Sequence, residues 1–260
     1  MKTLMVLVLF FYFLAMLKFF LHLALQRRFF HVMAVILSAV GFVLHTGLLY
    51  AISAKTGHGP YSSPQEYTSF FAWTTTGLML VFILFFRAAT IGAFVAPVAF
   101  LLSAFSTLTS DSSAGGQEIR EFWLTMHQTL SFLALSSFVI VFAASAMYLI
   151  QERQLKLRNI GALFKRMPDL DTLDLILHRA LLFGFPLITV GVASGIIWTY
   201  SRFGTLFGQH PIRVVPILFV WAVYGTLMVG RLVGWRGHKI AVMGAAGFGL
   251  ACLSLGLHLL

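Results

Sequence analysis

The stretch GFPLITVGVASGIIWTYSRFGTLFGQHP, residues 184–211, decides the fold because it joins two kinds of sequence. Its first half is as apolar as a membrane helix and carries a small-residue face at Gly184, Gly191, Ser194 and Gly195. Its second half breaks into glycine, aromatic residues, Arg202 and a His210-Pro211 pair. A run of about 20 apolar residues is long enough to cross the hydrocarbon core, and a polar break marks where the chain leaves it.

The pattern repeats along the whole chain. With 59% hydrophobic and 10% charged residues in 260, and a mean hydropathy of +0.91, the composition lies far outside that of soluble domains. Polar breaks at 26–31, 55–66, Arg87, 110–121, 151–171, 201–211 and 231–239 divide the chain into eight spans. The expected helices are 3–25, 30–53, 67–86, 89–109, 122–150, 173–200, 212–232 and 238–258. The expected fold is therefore all-α, a polytopic integral membrane helix bundle of about eight transmembrane helices, forming one membrane domain over 1–260.

The net charge of +10 sorts by loop. Arg27, Arg28, Arg87, Arg153, Lys156, Arg158, Lys165, Arg166, Arg231, Arg236 and Lys239 fall in the odd breaks, against Lys55, Arg120 and Arg202 in the even ones. Basic flanks stay in the cytoplasm, so the odd breaks are expected inside and both termini outside. Charge that sorts by topology does not make a nucleic-acid face, and no nucleic-acid partner is expected; anionic membrane lipid is a compatible one. The apolar run from Leu4 to about Leu25 is too long for a signal-peptide core and is expected to remain as the first helix.

Cys252 is the single cysteine, which excludes a disulfide framework, a dithiol pair and a thiolate metal site. The chain has no C-x-x-C-H and so carries no covalent haem of its own. All eight carboxylates lie in or beside loops, and Glu66 reads as a solvated loop acid. No hydrolase or transferase site is evident. Gly191 and Gly195 form a G-x-x-x-G pair that favours close approach of two helices, and Gly244, Gly247 and Gly249 suggest a tightly packed last helix.

Nine histidines remain to be placed. His22, His31, His178 and His238 fall near the inner surface, whereas His45, His58, His127, His210 and His258 fall in the outer half. His127 opens the fifth helix and His258 closes the eighth, so two residues distant in sequence share one depth. Neutral imidazoles of this kind ligate haem iron axially, and also suit zinc, copper or ferrous iron. Trp73, Trp123, Trp198, Tyr200, Phe203 and Phe207 supply aromatic surface at that level, and Arg202 a partner for carboxylates. The ordinary uses of these residue types are contact with headgroups and an interfacial aromatic belt. His45 lies within a span, where an ionisable side chain marks function or a hydrogen bond between helices.

The strings LHTGLLY (44–50), GHGPYSSPQEYTSFFAW (57–73), MHQTLSFLALSSFVIVFAASAMYLIQERQLK (126–156), LDLILHRALLFGFPLITVGVASGIIW (173–198) and GWRGHK (234–239) together resemble the cytochrome c assembly protein family, of CcsA/ResC type with HemX-like relatives. The resemblance implies an outward-facing, tryptophan-rich WWD loop, here 199–212, that presents haem for attachment to apocytochrome c. It implies His127 and His258 as the histidines that hold the iron; together with the residues placed above, His45, His210, Trp198, Phe203, Phe207 and Arg202 are then expected around a noncovalently bound haem b. It also implies a ResB-like membrane partner, a multi-pass location in the bacterial inner membrane, and at most a subunit role in a cytochrome c haem lyase. Two departures stand out. Between Trp198 and Trp221 there is no tryptophan and His210 stands where the family has aspartate; Val229 lies near the position of the family's intramembrane histidine. These departures fit an alternative, a HemX-like accessory or regulatory protein of haem metabolism without haem transfer, acting through the basic stretch 151–171.

Overall fold

The computed structural model describes residues 1–60, 62–86, 89–108, 122–158, 161–205 and 211–259; the side chains of residues 89, 211–213 and 255–259 are not described. Eight α-helices appear, with no strand among the described residues: α1 (Lys2–Leu25), α2 (Arg28–Thr56), α3 (Pro64–Phe86), α4 (Gly92–Leu108), α5 (Phe122–Lys156), α6 (Leu170–Phe203), α7 (Pro211–Leu232) and α8 (His238–Leu259). The helices α1, α2, α3, α5, α6 and α7 are each long and apolar enough to cross a bilayer. The protein is a polytopic membrane helix bundle, as its hydropathy requires.

The boundaries depart from expectation where polar residues continue a helix. Helix α5 runs on through 151–156 because Glu152 and Lys156 pair one turn apart at 2.8 Å. Helix α6 starts early because the Asp169 carboxylate accepts from the Thr172 amide at 2.6 Å, a bond that holds the Asp169 carboxyl below its usual range. At its far end Gly204 takes a left-handed conformation, φ 69°, and its N–H donates to the Tyr200 carbonyl. Helix α4 has 17 residues, about 26 Å, and follows a 3-10 turn at Ala89–Ile91.

The chain divides into two compact units, the first comprising Met1–Arg120 and Ile160–Pro168, the second Glu121–Asn159 and Asp169–Leu260. Each holds four helices that bury their seams against one another.

In the first unit α1 and α2 run antiparallel, with Tyr12 opposite His45 and His22 opposite His31. Val8, Tyr12 and Leu48 form a core at one end. Helix α3 is buried over most of its first four turns although rich in hydroxyls, because Thr68, Thr74 and Thr76 donate to the Pro64, Phe70 and Ala72 carbonyls of their own helix. The Trp73 indole stacks on Phe42, centroids 5.2 Å apart, and donates to Thr46 Oγ1 at 2.8 Å. Contrary to the loop reading, Glu66 is buried, since the first turn of α3 is folded inward and its carboxylate accepts from the Ser62 amide at 2.8 Å. The Arg166 carbonyl accepts from Gln26 in the α1–α2 turn and from Thr90 in the α3–α4 turn. The middle of the basic stretch 151–171 is thus tied to the end of this unit that carries the first and third breaks, in keeping with the charge alternation.

His45 is 1% exposed and both its ring nitrogens are engaged, Nδ1 with the Tyr12 hydroxyl at 3.1 Å and Nε2 with Ser69 Oγ at 2.9 Å. Tyr12 and Ser69 can each donate or accept, so each ring nitrogen has a partner whichever carries the proton. Tyr12→Phe leaves the buried Nδ1 without one. We expect a loss of about 1–2 kcal/mol, read as a lower melting temperature in detergent; an unchanged melting temperature would show that the bond is dispensable.

In the second unit α5 packs on α6 and α8, and α7 packs on α6 and α8. Phe138 of α5 stacks face to face on Tyr224 of α7, and both are fully buried. Gly244 and Gly247 of α8 abut Ser145 and Val141 on α5, and Val223 and Tyr224 on α7, as the glycine-rich last helix suggested. At one end the fifth and seventh breaks meet. Arg231 donates two bonds to Asp174, at 2.7 and 3.0 Å, and one to His178 Nδ1 at 3.4 Å. His238 Nδ1 lies 2.5 Å from Glu152 Oε2.

Candidate functional site

The opposite end of the second unit gathers the start of α5, the end of α6, the start of α7 and the end of α8. Its register is set by antiparallel pairs. Glu152 faces His238 and Phe142 faces Phe248, so each step back along α5 is a step forward along α8. Carried on, that register puts residue 258 level with residue 132, five positions from His127. The backbones of His127 and His258 therefore lie at the same end of this unit; the side chain of His258 is outside the described residues.

His127 is half-buried against α6. Its Nδ1 lies 2.7 Å from the Gly191 carbonyl oxygen, which can only accept, so Nδ1 carries the proton and donates it. Nε2 is then left with an in-plane lone pair, and among the described residues it has no hydrogen-bond partner. A ring held this way presents one nitrogen as a metal ligand while the other is oriented by a carbonyl, the usual arrangement of ligating histidines. A Cβ at Gly195 would meet His127 Nδ1 at 2.5 Å, and one at Gly191 would meet Ser131 Oγ at 2.9 Å. The G-x-x-x-G pair thus does what helix packing asked of it and also seats the imidazole.

Trp198 and Arg202 continue the stripe that Gly191 and Gly195 begin, at i+7 and i+11, and so share the α6 face on which His127 lies. Phe203 meets Trp198 edge to face, centroids 6.0 Å apart. His210 and Phe207 lie outside the described residues. His45 belongs to the first unit, with both nitrogens occupied as described above. The α5–α6 hydrogen bond itself went unforeseen; the signal for it was the presence, at matching depth, of the histidine and the glycine pair.

The sequence pattern of the Cytochrome C assembly protein family matches residues 61–259, most of the chain. The chain belongs to this family. The match takes in His127 and His258 and begins beyond His45. Among curated relatives, the "Cytochrome c biogenesis protein CcsA" of Chlamydomonas reinhardtii is 29% identical over 222 residues, covering 82% of this chain and 62% of that protein's length. Those of Gloeobacter violaceus and Prochlorococcus marinus are each 26% identical, covering 85% and 90% of this chain and 84% and 85% of theirs. The resemblance read from the five strings is borne out, and the chain is a multi-pass membrane member of the family.

Proposed function

We propose that this protein handles haem in cytochrome c biogenesis, holding haem b noncovalently near the outer surface of a bacterial inner membrane and acting with a ResB-like partner and apocytochrome c. The observation that carries this reading is the His127 Nδ1–H bond to the Gly191 carbonyl, which leaves Nε2 as a free donor at the end of the unit where α8 brings residue 258. Haem suits such donors, and when bound it supplies the iron and the vinyl groups to which a cytochrome's thiols are joined.

The chain's own residues divide the work. Gly191 keeps the proton on Nδ1 of His127. His127 and His258 supply the two imidazoles. Trp198, Phe203 and Phe207 offer apolar surface that excludes water, and Arg202 offers a guanidinium to carboxylates, with His210 in the same loop. His45 is assigned to holding α1, α2 and α3 together. The topology that goes with this places both termini outside.

A HemX-like accessory role without haem transfer is favoured by one specific feature, the loss of tryptophan from 199–212 together with Val229 in place of an intramembrane histidine. An absorption spectrum separates the two. Protein purified in mild detergent from haem-replete cells is expected to carry a Soret band near one haem per chain, reduced at least tenfold in His127→Ala and in His258→Ala. A wild type that is colourless and takes up no added haem would overturn the haem reading in favour of the accessory one.

A further inference from the structure

We infer that Gly195 is a positioning residue for His127: its missing side chain lets the imidazole lie flat against α6, where the Gly191 carbonyl selects the Nδ1–H tautomer and delivers Nε2. The inference rests on the ligating role proposed for His127, and adds to it the element that determines which nitrogen is presented.

The geometry leaves the ring little freedom. A Cβ at position 195 would stand 2.5 Å from Nδ1, 2.8 Å from Cε1 and 3.1 Å from Cγ, so it would press on the face of the ring over Nδ1. These are ring atoms rather than the far end of a flexible chain, and a staggered rotamer cannot yield by the required half ångström or more without rotating the imidazole. The nitrogen that is struck is also the hydrogen-bonded one. Rotation therefore breaks the 2.7 Å bond to Gly191, and with it the reason for the proton to stay on Nδ1. Position 191 differs. A Cβ there would press on Ser131 Oγ and would lie 3.7 Å from the His127 carbonyl, clear of the ring. Gly191 thus contributes its carbonyl, which also accepts from Ser194 Oγ at 2.9 Å, and Gly195 contributes the space.

An imidazole free to exchange its proton between nitrogens presents a donor only part of the time, and an unconstrained ring loses the alignment that an axial bond requires. On this view the G-x-x-x-G pair of α6 matters for ligand geometry as well as for packing.

The experiment uses the full chain with 15N-labelled histidine in detergent, the His127 signals being assigned by their loss in His127→Gln. Wild-type His127 is expected to be neutral with its proton on Nδ1. In Gly195→Ala the pattern should move to the Nε2–H form or to an exchange average. The haem content per chain should fall at least fivefold. Gly249→Ala, where the added methyl meets nothing within 4 Å, serves as the control and should leave both readouts unchanged. A wild-type ring protonated on Nε2, or a Gly195→Ala ring that keeps the Nδ1–H pattern, overturns the inference. Because the tautomer is measured without haem, a wild type that binds no haem would defeat the proposed function and leave the positioning claim to be decided by the nitrogen spectra.

Discussion

Arg231→Ala should destabilise the second unit by about 3 kcal/mol and lower the melting temperature of the detergent-solubilised protein by roughly 6–12 °C. Arg231 is a residue of α7 whose side chain is 7% exposed, and it holds the carboxylate of Asp174, 57 residues earlier on α6, through a two-pronged bond. Removing the guanidinium strands a carboxylate that is only 19% exposed, whose remaining contact is the Gly237 amide at 3.5 Å. It also takes a donor from His178 Nδ1. The cost is that of an uncompensated charge rather than the worth of the pair, since two partly buried ions also paid to leave water. The double variant Arg231→Met with Asp174→Asn removes both charges and keeps the site filled, and it should recover most of the lost stability. If the single variant melts within 2 °C of wild type, or the double variant is the worse of the two, the pair is not what joins α6 to α7 at this end.

That pair shows where a sequence reading stops. The helices were legible because twenty apolar residues in a row have few alternatives, and the alternation of basic breaks was legible because insertion sorts charge. The depth of His127 and His258 followed from those two facts, and the register between α5 and α8 agrees with it. What hydropathy does not contain is rotation about a helix axis. It could say that His127 and Gly191 share a depth, but not that the ring faces the carbonyl. Likewise Asp174 counted only as one of the carboxylates in or beside loops and His178 as one of the histidines near the inner surface, although both face Arg231 across a seam. Glu66 misled for a related reason: a carboxylate beside Pro64 and Ser63 has the composition of a loop, and its burial depends on the Ser62 amide donating to it while its own amide donates to the Ser63 hydroxyl. The hydroxyls of Thr68, Thr74 and Thr76 are a simpler case, since each finds a carbonyl in its own helix.

Gly184→Leu should be at least as damaging, because the seam between α5 and α6 has no room at that point and no soft neighbour. A Cβ alone would meet Phe138 Cε1 at 2.8 Å and Ser137 Cβ at 2.9 Å. Phe138 cannot turn aside. Its other face is stacked on Tyr224, and Tyr224 in turn lies against Gly247 of α8. Ser137 is held by its bond to the Ala180 carbonyl at 2.6 Å, one turn before Gly184 on the same helix. A leucine must therefore push α6 off α5 and break the Ser137 bond, for an overpacking cost of about 3 kcal/mol or more. Gly184→Ala tests the same point more gently. Alanine gains roughly 1 kcal/mol of helix propensity over glycine, so the sign of the change says which effect wins. At Gly47 of α2, where an added methyl meets nothing within 4 Å, alanine should raise the melting temperature; at Gly184 it should lower it. Melting curves of the three variants decide the matter: a stabilising Gly184→Ala, or a Gly184→Leu that melts with the wild type, would mean that α5 and α6 can separate at this level without cost, and that the close approach which brings His127 to the Gly191 carbonyl further along the same seam is not enforced by packing.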